Sequence, residues 1–224
     1  SVDPVSDGKP RESAGAPDDP ARAPHDLAPH GLTRAPRDLT ESELASELAW
    51  QGGFLKIRRD RVSLPDGRES FREYVVHPGA AVMIPLLDDG RILVERQYRY
   101  PLRRHFVEMP AGKLDPGEAP LVTARRELLE ETGYQAAEWA LLTVLHPAIG
   151  FATEEMHVYL CRDLAHTGQQ LDDDEHLDVE AVTLDWLIAE LRAGRLTDVK
   201  TQIAVFWLDK LFSGAWPWPV FERG

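Results

Sequence analysis

Hydrophobic and polar positions along the chain follow two different periods. In the first half, stretches with apolar side chains at alternate positions show the pattern of strands with one buried face. A Pro-Asp-Gly segment at 65–67 separates two of these stretches and is typical of a hairpin turn, and Asp-Asp-Gly at 88–90 separates two more. The alternation therefore predicts strands at 54–63, 69–77, 80–87 and 91–97, and others at 139–145, 156–162 and 179–183.

The second period, close to that of an α-helix, predicts helices at 119–132, 184–193 and 199–212. Pro120 lies in the first turn of the first helix and Gly133 directly follows its end, and these residue types favour a helix start and a helix end. Strands and helices do not alternate as regularly as in a doubly wound sheet. The order therefore predicts a mixed α/β fold.

A further short helix is predicted after Thr40. Thr40 and Glu43 fit a capping box, in which each side chain bonds the backbone of the other. Leu44, Leu48 and Trp50 then follow at roughly helical spacing.

Composition changes the picture at the N-terminus. Residues 1–40 contain seven of the 17 prolines and almost no large apolar side chains, so this segment cannot bury enough surface to offset the entropy lost on ordering. We expect three regions, namely a disordered tail rich in Pro and Ala (1–40), an N-terminal strand region (41–78) and a main domain (79–224).

Charge and cysteine content exclude several classes of function. The chain has 25 Lys and Arg against 38 Asp and Glu, a net charge of −13, which disfavours binding to nucleic acid or to an anionic membrane. It contains neither an apolar run long enough to span a bilayer nor a secretory signal pattern. These features predict a soluble, cytoplasmic protein with no nucleic-acid or membrane partner. The single cysteine, Cys161, excludes an internal disulfide and is predicted to be buried and inert.

Candidate chemistry lies on the first predicted helix. Glu127, Glu130 and Glu131 fall on one face of it, within about a third of the circumference. Clustered carboxylates repel one another unless a cation accompanies them, and oxygen ligands favour hard divalent ions such as Mg²⁺ or Mn²⁺. The alternative is a solvated helix face without a bound ion.

The loop before this helix completes a spaced pattern. Glu118 at the helix start suits the helix dipole and is placed to pair with Arg126 two turns along. The order is Gly112, five residues, Glu118, seven residues, Arg126-Glu127, two residues, Glu130-Glu131, one residue and Gly133. This pattern resembles the Nudix box.

The resemblance implies a fold, an activity and a set of metal ligands. The fold would be a Nudix-type α/β/α sandwich with a mixed sheet, preceded here by N-terminal antiparallel strands. The activity would be hydrolysis of a nucleoside diphosphate linked to another group, with two or three Mg²⁺ or Mn²⁺ ions per site. By similarity, Glu127, Glu131 and the carbonyl of Ala111 are metal ligands, and Glu130 is a catalytic residue and a ligand through water. Residues with structural roles in the box are Gly112, Glu118, Arg126 and Gly133.

Segments outside the box resemble the ADP-ribose pyrophosphatase branch, which cleaves ADP-ribose to AMP and ribose 5-phosphate. They are Gln97-Tyr98-Arg99, 107–112 and 150–155. By resemblance, Arg99 contacts a substrate phosphate and Glu154 contacts ribose hydroxyls or a metal-bound water. Alternatives are another nucleotide sugar or dinucleotide (ADP-glucose, GDP-mannose or NADH), a hydrolase of damaged nucleoside triphosphates, or a non-catalytic ADP-ribose sensor.

The branch also implies a catalytic base and a dimer. A base is needed to take the proton of the attacking water, and the matching segment is the acidic run at 171–179, in which Glu175 ranks ahead of Asp173 and the two roles are interchangeable. Phe54 and Arg72 occupy the positions of adenine-contacting residues. The N-terminal strands of this branch exchange between two subunits, which suggests a homodimer.

Overall fold

The computed structural model describes residues 37–171 and 176–223. The chain divides into two units, Ser1–Leu39 and Thr40–Gly224, and the architecture below is that of the second. The disorder predicted for 1–40 falls almost entirely outside the described residues. The strands are β1 (Ser42–Gln51), β2 (Lys56–Ser63), β3 (Glu69–Val76), β4 (Ala80–Pro85), β5 (Ile92–Arg99), β6 (Arg104–Glu108), β7 (Ala111–Lys113), β8 (Tyr134–Leu145), β9 (Met156–His166), β10 (Leu177–Val182) and β11 (Glu222–Arg223).

The described residues also form three α-helices, namely α1 (Pro120–Thr132), α2 (Leu184–Arg192) and α3 (Val199–Phe212). Their bounds agree with the predicted helices to within one residue. Gly133 ends α1 with a φ of 74°, and the side chains of Thr183 and Asp198 cap the first turns of α2 and α3. No helix in the described part of the chain is both long and apolar enough to cross a membrane.

The short helix predicted after Thr40 is wrong, because this segment forms β1. β1, β2 and β3 make an antiparallel sheet in that order, and β1 pairs with β2 along its whole length. A spacing of four residues, as between Leu44 and Leu48, is shared by one face of a helix and one face of a strand. Pairing with β2, which satisfies the backbone of β1, decides between the two.

The strands on either side of Asp-Asp-Gly do not form a hairpin. The turn itself is present, since the Leu87 amide donates to the Arg91 carbonyl at 2.9 Å, but only Leu86 and Ile92 form a bridge. β4 instead lies in a five-stranded sheet, in the order β11-β8-β9-β4-β7, and β5 lies in a three-stranded sheet, in the order β10-β5-β6. The β4–β9 pair is parallel and its neighbours are antiparallel, so the sheet is mixed.

Both faces of β4 are covered, which gives the layers of a sandwich. Ala81 and Met83 pack with Leu128 of α1 in one buried cluster. Val82 and Ile84, at the alternate positions, belong to a second cluster that contains residues of α2 and α3. The core therefore lies between α1 on one side and α2 and α3 on the other, and the predicted α/β sandwich is confirmed.

Candidate active site

One cavity of about 520 Å³ collects seven of the predicted site residues. It lies where the end of β5, the short strand β7, one face of α1 and the start of α3 come together. Predicted residues on its wall are Phe54, Arg99, Ala111, Gly112, Glu127, Glu131 and Glu154, and the other lining residues are His77, Ala80, Gln97, Lys113, Met156 and Lys200.

The acidic face of α1 rests directly against β7. Glu131 is buried, and one of its carboxylate oxygens accepts from the Ala111 amide at 3.1 Å. Gly112 lies against Glu127 so closely that a Cβ built on the glycine would be 1.8 Å from the carboxyl carbon. The absence of a side chain at Gly112 thus creates the space that the Glu127 carboxylate fills.

Arg126 joins the carboxylates of the loop and the helix. Its guanidinium donates to Glu118 at 3.0 Å, to Glu127 at 2.8 Å and to Glu130 at 3.0 Å. The bonds from Arg126 and from the Thr123 hydroxyl lower the pKa of Glu118 to about 2. Its hydrogen bond to Glu118 and then its attraction to Glu127 raise the pKa of Arg126, so the guanidinium stays charged.

The donors on this face suit a hard divalent cation in chemical type. Glu127, Glu131 and the main chain of Ala111 offer oxygen atoms to the same cavity, and Gly112 leaves room for the Glu127 carboxylate beside β7. Within residues 37–171 and 176–223, however, no three His, Cys, Asp or Glu side chains are arranged to hold a metal ion by themselves. Glu130 is turned to Arg126 and is not on the cavity wall.

A second ionic group contributes Arg99 and Lys200 to the wall. Arg99 donates through Nε and Nη2 to the two oxygens of Glu108, at 2.8 and 2.9 Å, and the two side chains thus form a bidentate ion pair. Lys200 also donates to Glu108 and, at 3.1 Å, to Asp198. Burial by itself would raise the pKa of Glu108, but the bonds from Arg99 and Lys200 outweigh it and the pKa is lowered. Glu108 is therefore an ionised group between two cations.

Glu154 and Phe54 meet at His77. Glu154 lies 3.7 Å from Nε2 of His77, whose Nδ1 accepts from the Gly79 amide at 3.1 Å. The edge of Phe54 contacts the His77 ring, with 5.6 Å between ring centroids, and Lys113 lies over the Phe54 ring at 4.1 Å. Phe54 is thus a cavity residue within its own subunit.

The loop that carries Glu154 is tied to the end of β3. The Val75 amide donates to the Phe151 carbonyl at 2.9 Å, and the Thr153 amide donates to the Val75 carbonyl at 3.0 Å. The Thr153 hydroxyl accepts from the amide of His77 at 2.9 Å. The N-terminal sheet therefore helps to fix the position of Glu154.

Among the catalytic, substrate-binding and metal-ligand candidates that the structure describes, Arg72 and Glu130 do not line the cavity. Arg72 is exposed on β3, where its Nε donates to Glu41 at 2.8 Å. Asp173 and Glu175, proposed as alternative bases, lie outside the described residues.

Sequence reasoning missed His77, Lys113 and Lys200 as lining residues. Lys200 lies 92 positions from Glu108 and occupies a helix whose other buried positions, apart from Thr201, are apolar, so no local motif connects the two. The one available signal was the position of Lys200 itself, since a lysine on the buried side of an apolar helix needs an ionic partner.

Comparison with known proteins agrees with this geometry. The family model described as NUDIX domain matches residues 76–201, more than half of the chain. The chain is 39% identical over 174 residues to the ADP-ribose pyrophosphatase of Bacillus subtilis (strain 168), covering 77% of this chain and 94% of the relative. It is 41% identical over 170 residues to the methanol dehydrogenase activator of Bacillus methanolicus, covering 75% and 92% respectively.

Among solved structures, a crystal structure of an ADP compounds hydrolase superposes with a TM-score of 0.71 at 21% identity. The match covers 80% of this chain and 98% of that one, and it shows a shared fold. The resemblance drawn from the spacing of Gly112, Glu118 and the glutamates of α1 is confirmed, and the chain belongs to the NUDIX family.

Proposed function

We propose that the protein is a divalent-metal-dependent pyrophosphohydrolase that cleaves ADP-ribose to AMP and ribose 5-phosphate. The observation that carries this proposal is a single cavity lined both by carboxylates of α1 and by the cations Arg99 and Lys113. A diphosphate needs both kinds of group, because metal ions held by carboxylates neutralise it while cationic side chains orient it. The ADP-ribose pyrophosphatase relative supports the choice of ADP-ribose.

Residues of this chain have defined parts in the proposed reaction. Glu127, Glu131 and the Ala111 carbonyl would hold Mg²⁺ or Mn²⁺, with Glu130 acting through water, and two or three ions are expected. Such ions supply positive charge to the diphosphate and to the leaving phosphate. In the hydrolysis, a water oxygen bonds to one phosphorus atom and the bridging P–O bond breaks. Glu175, or Asp173 in its place, takes the proton of that water.

Binding contacts are proposed for the two ends of the substrate. Arg99 contacts a phosphate and Glu154 contacts the ribose, in line with their positions on the cavity wall. Phe54 offers an aromatic ring to the adenine, although Lys113 covers one face of that ring in this structure. Arg72 is bound to Glu41 within its own chain, so its proposed contact with adenine requires release of that pair.

A homodimer that exchanges its N-terminal strands is proposed as the active form, working in the cytoplasm. The sheet of β1, β2 and β3 exposes about half of the side-chain surface of several large apolar residues, namely Leu44, Leu48, Trp50 and Phe71. Exposed apolar patches of this kind are typical of interfaces. In this proposal, region 41–78 supplies the dimer and adenine contacts and region 79–224 supplies the catalytic groups.

Product release from a panel of substrates tests the proposal. With Mg²⁺ present, turnover of ADP-ribose is expected to exceed that of ADP-glucose, GDP-mannose, NADH and a nucleoside triphosphate. Faster turnover of another compound would contradict the proposed substrate. Metal-dependent binding without turnover of any of them would indicate a sensor and contradict the enzymatic function.

Substitution of Glu131 tests the metal site within the same assay. Glu131→Gln is expected to lower kcat by about a thousandfold, because the neutral amide is a poorer ligand for a hard cation. Glu138→Gln on β8, which removes a surface partner of Arg162, is the matched control and should retain normal turnover. Normal turnover of Glu131→Gln would remove this residue from the metal site.

A further inference from the structure

Lys200 is an unusual residue for its position. It is 6% exposed and begins the buried stripe of α3, which continues with Ala204, Leu208 and Leu211. An apolar side chain is expected at such a place, since lysine is rarely buried without a specific partner. A buried ion pair often contributes no more stability than apolar residues of similar size. Stability alone therefore gives no reason for a lysine here.

The contacts of Lys200 lead to the cavity through one carboxylate. Its ammonium group binds Glu108, which is 5% exposed and holds Arg99 in the bidentate ion pair. Arg99 uses Nε and Nη2 for this pair, and its half-exposed side chain still lines the cavity. The orientation of the Arg99 guanidinium is therefore set by Glu108, and the orientation of Glu108 is set in part by Lys200.

The start of α3 is anchored to the same segment by a second, uncharged contact. Asp198 caps the helix by accepting from the Thr201 amide at 3.0 Å and from the Thr201 hydroxyl at 2.6 Å. The Thr201 hydroxyl in turn accepts from the Met109 amide at 2.8 Å. Lys200 thus meets Glu108 from a fixed position, beside the chain that leads into Ala111.

Charge gives Lys200 a second effect on Arg99. An isolated pair of Arg99 and Glu108 has no net charge and would attract a phosphate weakly. Lys200 offsets the negative charge of Glu108 beside Arg99. Its second partner, Asp198, brings the group of two cations and two carboxylates to zero net charge, but the Asp198 carboxylate lies at the N-terminus of α3, where the helix dipole partly offsets it.

The geometry points to Lys200 as a positioning residue for Arg99. By binding Glu108, which holds Arg99, it fixes the guanidinium for contact with a substrate phosphate and offsets the negative charge of Glu108 beside it. This inference rests on the proposed function, in which Arg99 contacts a phosphate, and it adds α3, outside the glutamate-bearing helix, to the machinery that determines substrate affinity.

A double-mutant cycle tests whether Lys200 acts through Arg99. Lys200→Met is expected to raise KM for ADP-ribose about tenfold with a smaller change in kcat, as when a charged hydrogen bond is lost. In an Arg99→Met background the same change should alter kcat/KM less than about twofold, because Lys200 then has no arginine to position. A full tenfold effect in that background would show direct substrate contact instead and overturn the inference.

Two further variants separate positioning from general damage. Lys200→Arg keeps a donor for both Glu108 and Asp198 and should restore KM to within about threefold of wild type. Lys210→Met is the matched control, because Lys210 lies at the other end of α3 and pairs only with Asp209 among the described residues. Loss of affinity in Lys210→Met, or no rescue by Lys200→Arg, would contradict the inference.

A structural readout keeps the test independent of the substrate. In a crystal structure of Lys200→Met, the Glu108 carboxylate and the Arg99 guanidinium should be displaced relative to the wild-type crystal structure. Unchanged positions would overturn the inference whichever substrate the enzyme prefers, whereas failure of ADP-ribose alone would overturn only the proposed function. If Lys200→Met does not fold, Lys200→Gln, which removes the charge and keeps a polar group near Glu108, should show the same displacement of Arg99.

Discussion

At the scale of single residues, Gly112 shows how a missing side chain places a functional group. The Glu127 carboxylate lies where a Cβ of residue 112 would be, 1.8 Å from the carboxyl carbon. Glycine at this position is thus explained by close approach, since its φ is not in the left-handed region. The position of the glycine was visible in the sequence, but its contact with Glu127 was not.

Replacing Gly112 should therefore damage activity more than stability. In Gly112→Ala the end of a flexible side chain has to move, so we expect less than about 1 kcal/mol of lost stability. The displaced Glu127 carboxylate should lower kcat about a hundredfold, as small misplacements of a catalytic group can.

Steady-state kinetics and urea unfolding measure both effects. Gly150→Ala is the matched control, because a Cβ there meets no atom within 4 Å. Equal kcat values for the two variants would contradict the role assigned to Gly112.

Charge clusters at this scale were only partly predictable. Glu127, Glu131 and Ala111 share one cavity because they follow a spacing within one loop and one helix. Arg99 and Glu154 were found through resemblance. Lys200 could not be found, since its partner Glu108 is distant in sequence and the pairing exists only after α3 has packed.

At the scale of secondary structure elements, the end of α1 is a junction with the loop that follows β9. The amides of Thr167 and Gly168 donate to the Gly133 carbonyl, at 2.8 and 3.2 Å, and the Gln170 amide donates to the Glu130 carbonyl at 3.0 Å. This loop covers helix carbonyls that have no partner within the helix. Gly133 consequently has both a left-handed φ and a close neighbour.

Two glycines allow these requirements to be measured separately. Gly133 and Gly194 have φ values of 74° and 71°, but only Gly133 has atoms within 4 Å of a built Cβ, at 2.7 Å from the Gln169 amide nitrogen. Gly194→Ala is expected to cost about 1 kcal/mol of unfolding free energy for the backbone strain alone. Gly133→Ala should cost about 2 to 3 kcal/mol, since the loop backbone must also move.

Urea unfolding of both variants at one pH measures the two losses of unfolding free energy. A similar loss of stability in Gly133→Ala and Gly194→Ala would contradict the close packing of the loop on Gly133.

Helices were predicted more accurately than strands, and the reasons are local. Capping side chains, Pro120 and Gly133 mark helix ends in the sequence itself. Strand pairing depends on distant partners. β1 was mistaken for a helix because the spacing of its leucines fits both structures. β4 lies in a different sheet from β5, its neighbour in sequence, because β4 pairs with β9. The short strands β6 and β7 lack enough residues for a visible alternation.

At the scale of the whole molecule, most of the N-terminal sheet is left uncovered by the described residues of its own chain. Of its residues only Asp60 and Val62 are buried, whereas β4 is buried along its whole length. The residue pattern predicted a region of strands here, and family resemblance suggested a dimer. The exposure of apolar side chains on β1 is the structural feature that supports this suggestion.

Oligomeric state in solution tests the dimer. Light scattering is expected to give about twice the chain mass of 25.2 kDa. Leu48→Asp should shift the mass toward one chain, because it places a charge in the proposed interface.

Leu141→Asp is the matched control, since Leu141 is also a strand leucine and is equally exposed at 51%. A monomeric wild-type protein, or equal effects of the two variants, would contradict an interface built from the N-terminal sheet.

In the proposed reaction, the acidic face of α1 and the cations of the same cavity act together on one diphosphate. Quantifying AMP and ribose 5-phosphate released from ADP-ribose, with Mg²⁺ and with a chelator, tests this most directly. We predict equal amounts of the two products with Mg²⁺ and almost none with the chelator. Products other than these two, or undiminished release without divalent ions, would contradict the account.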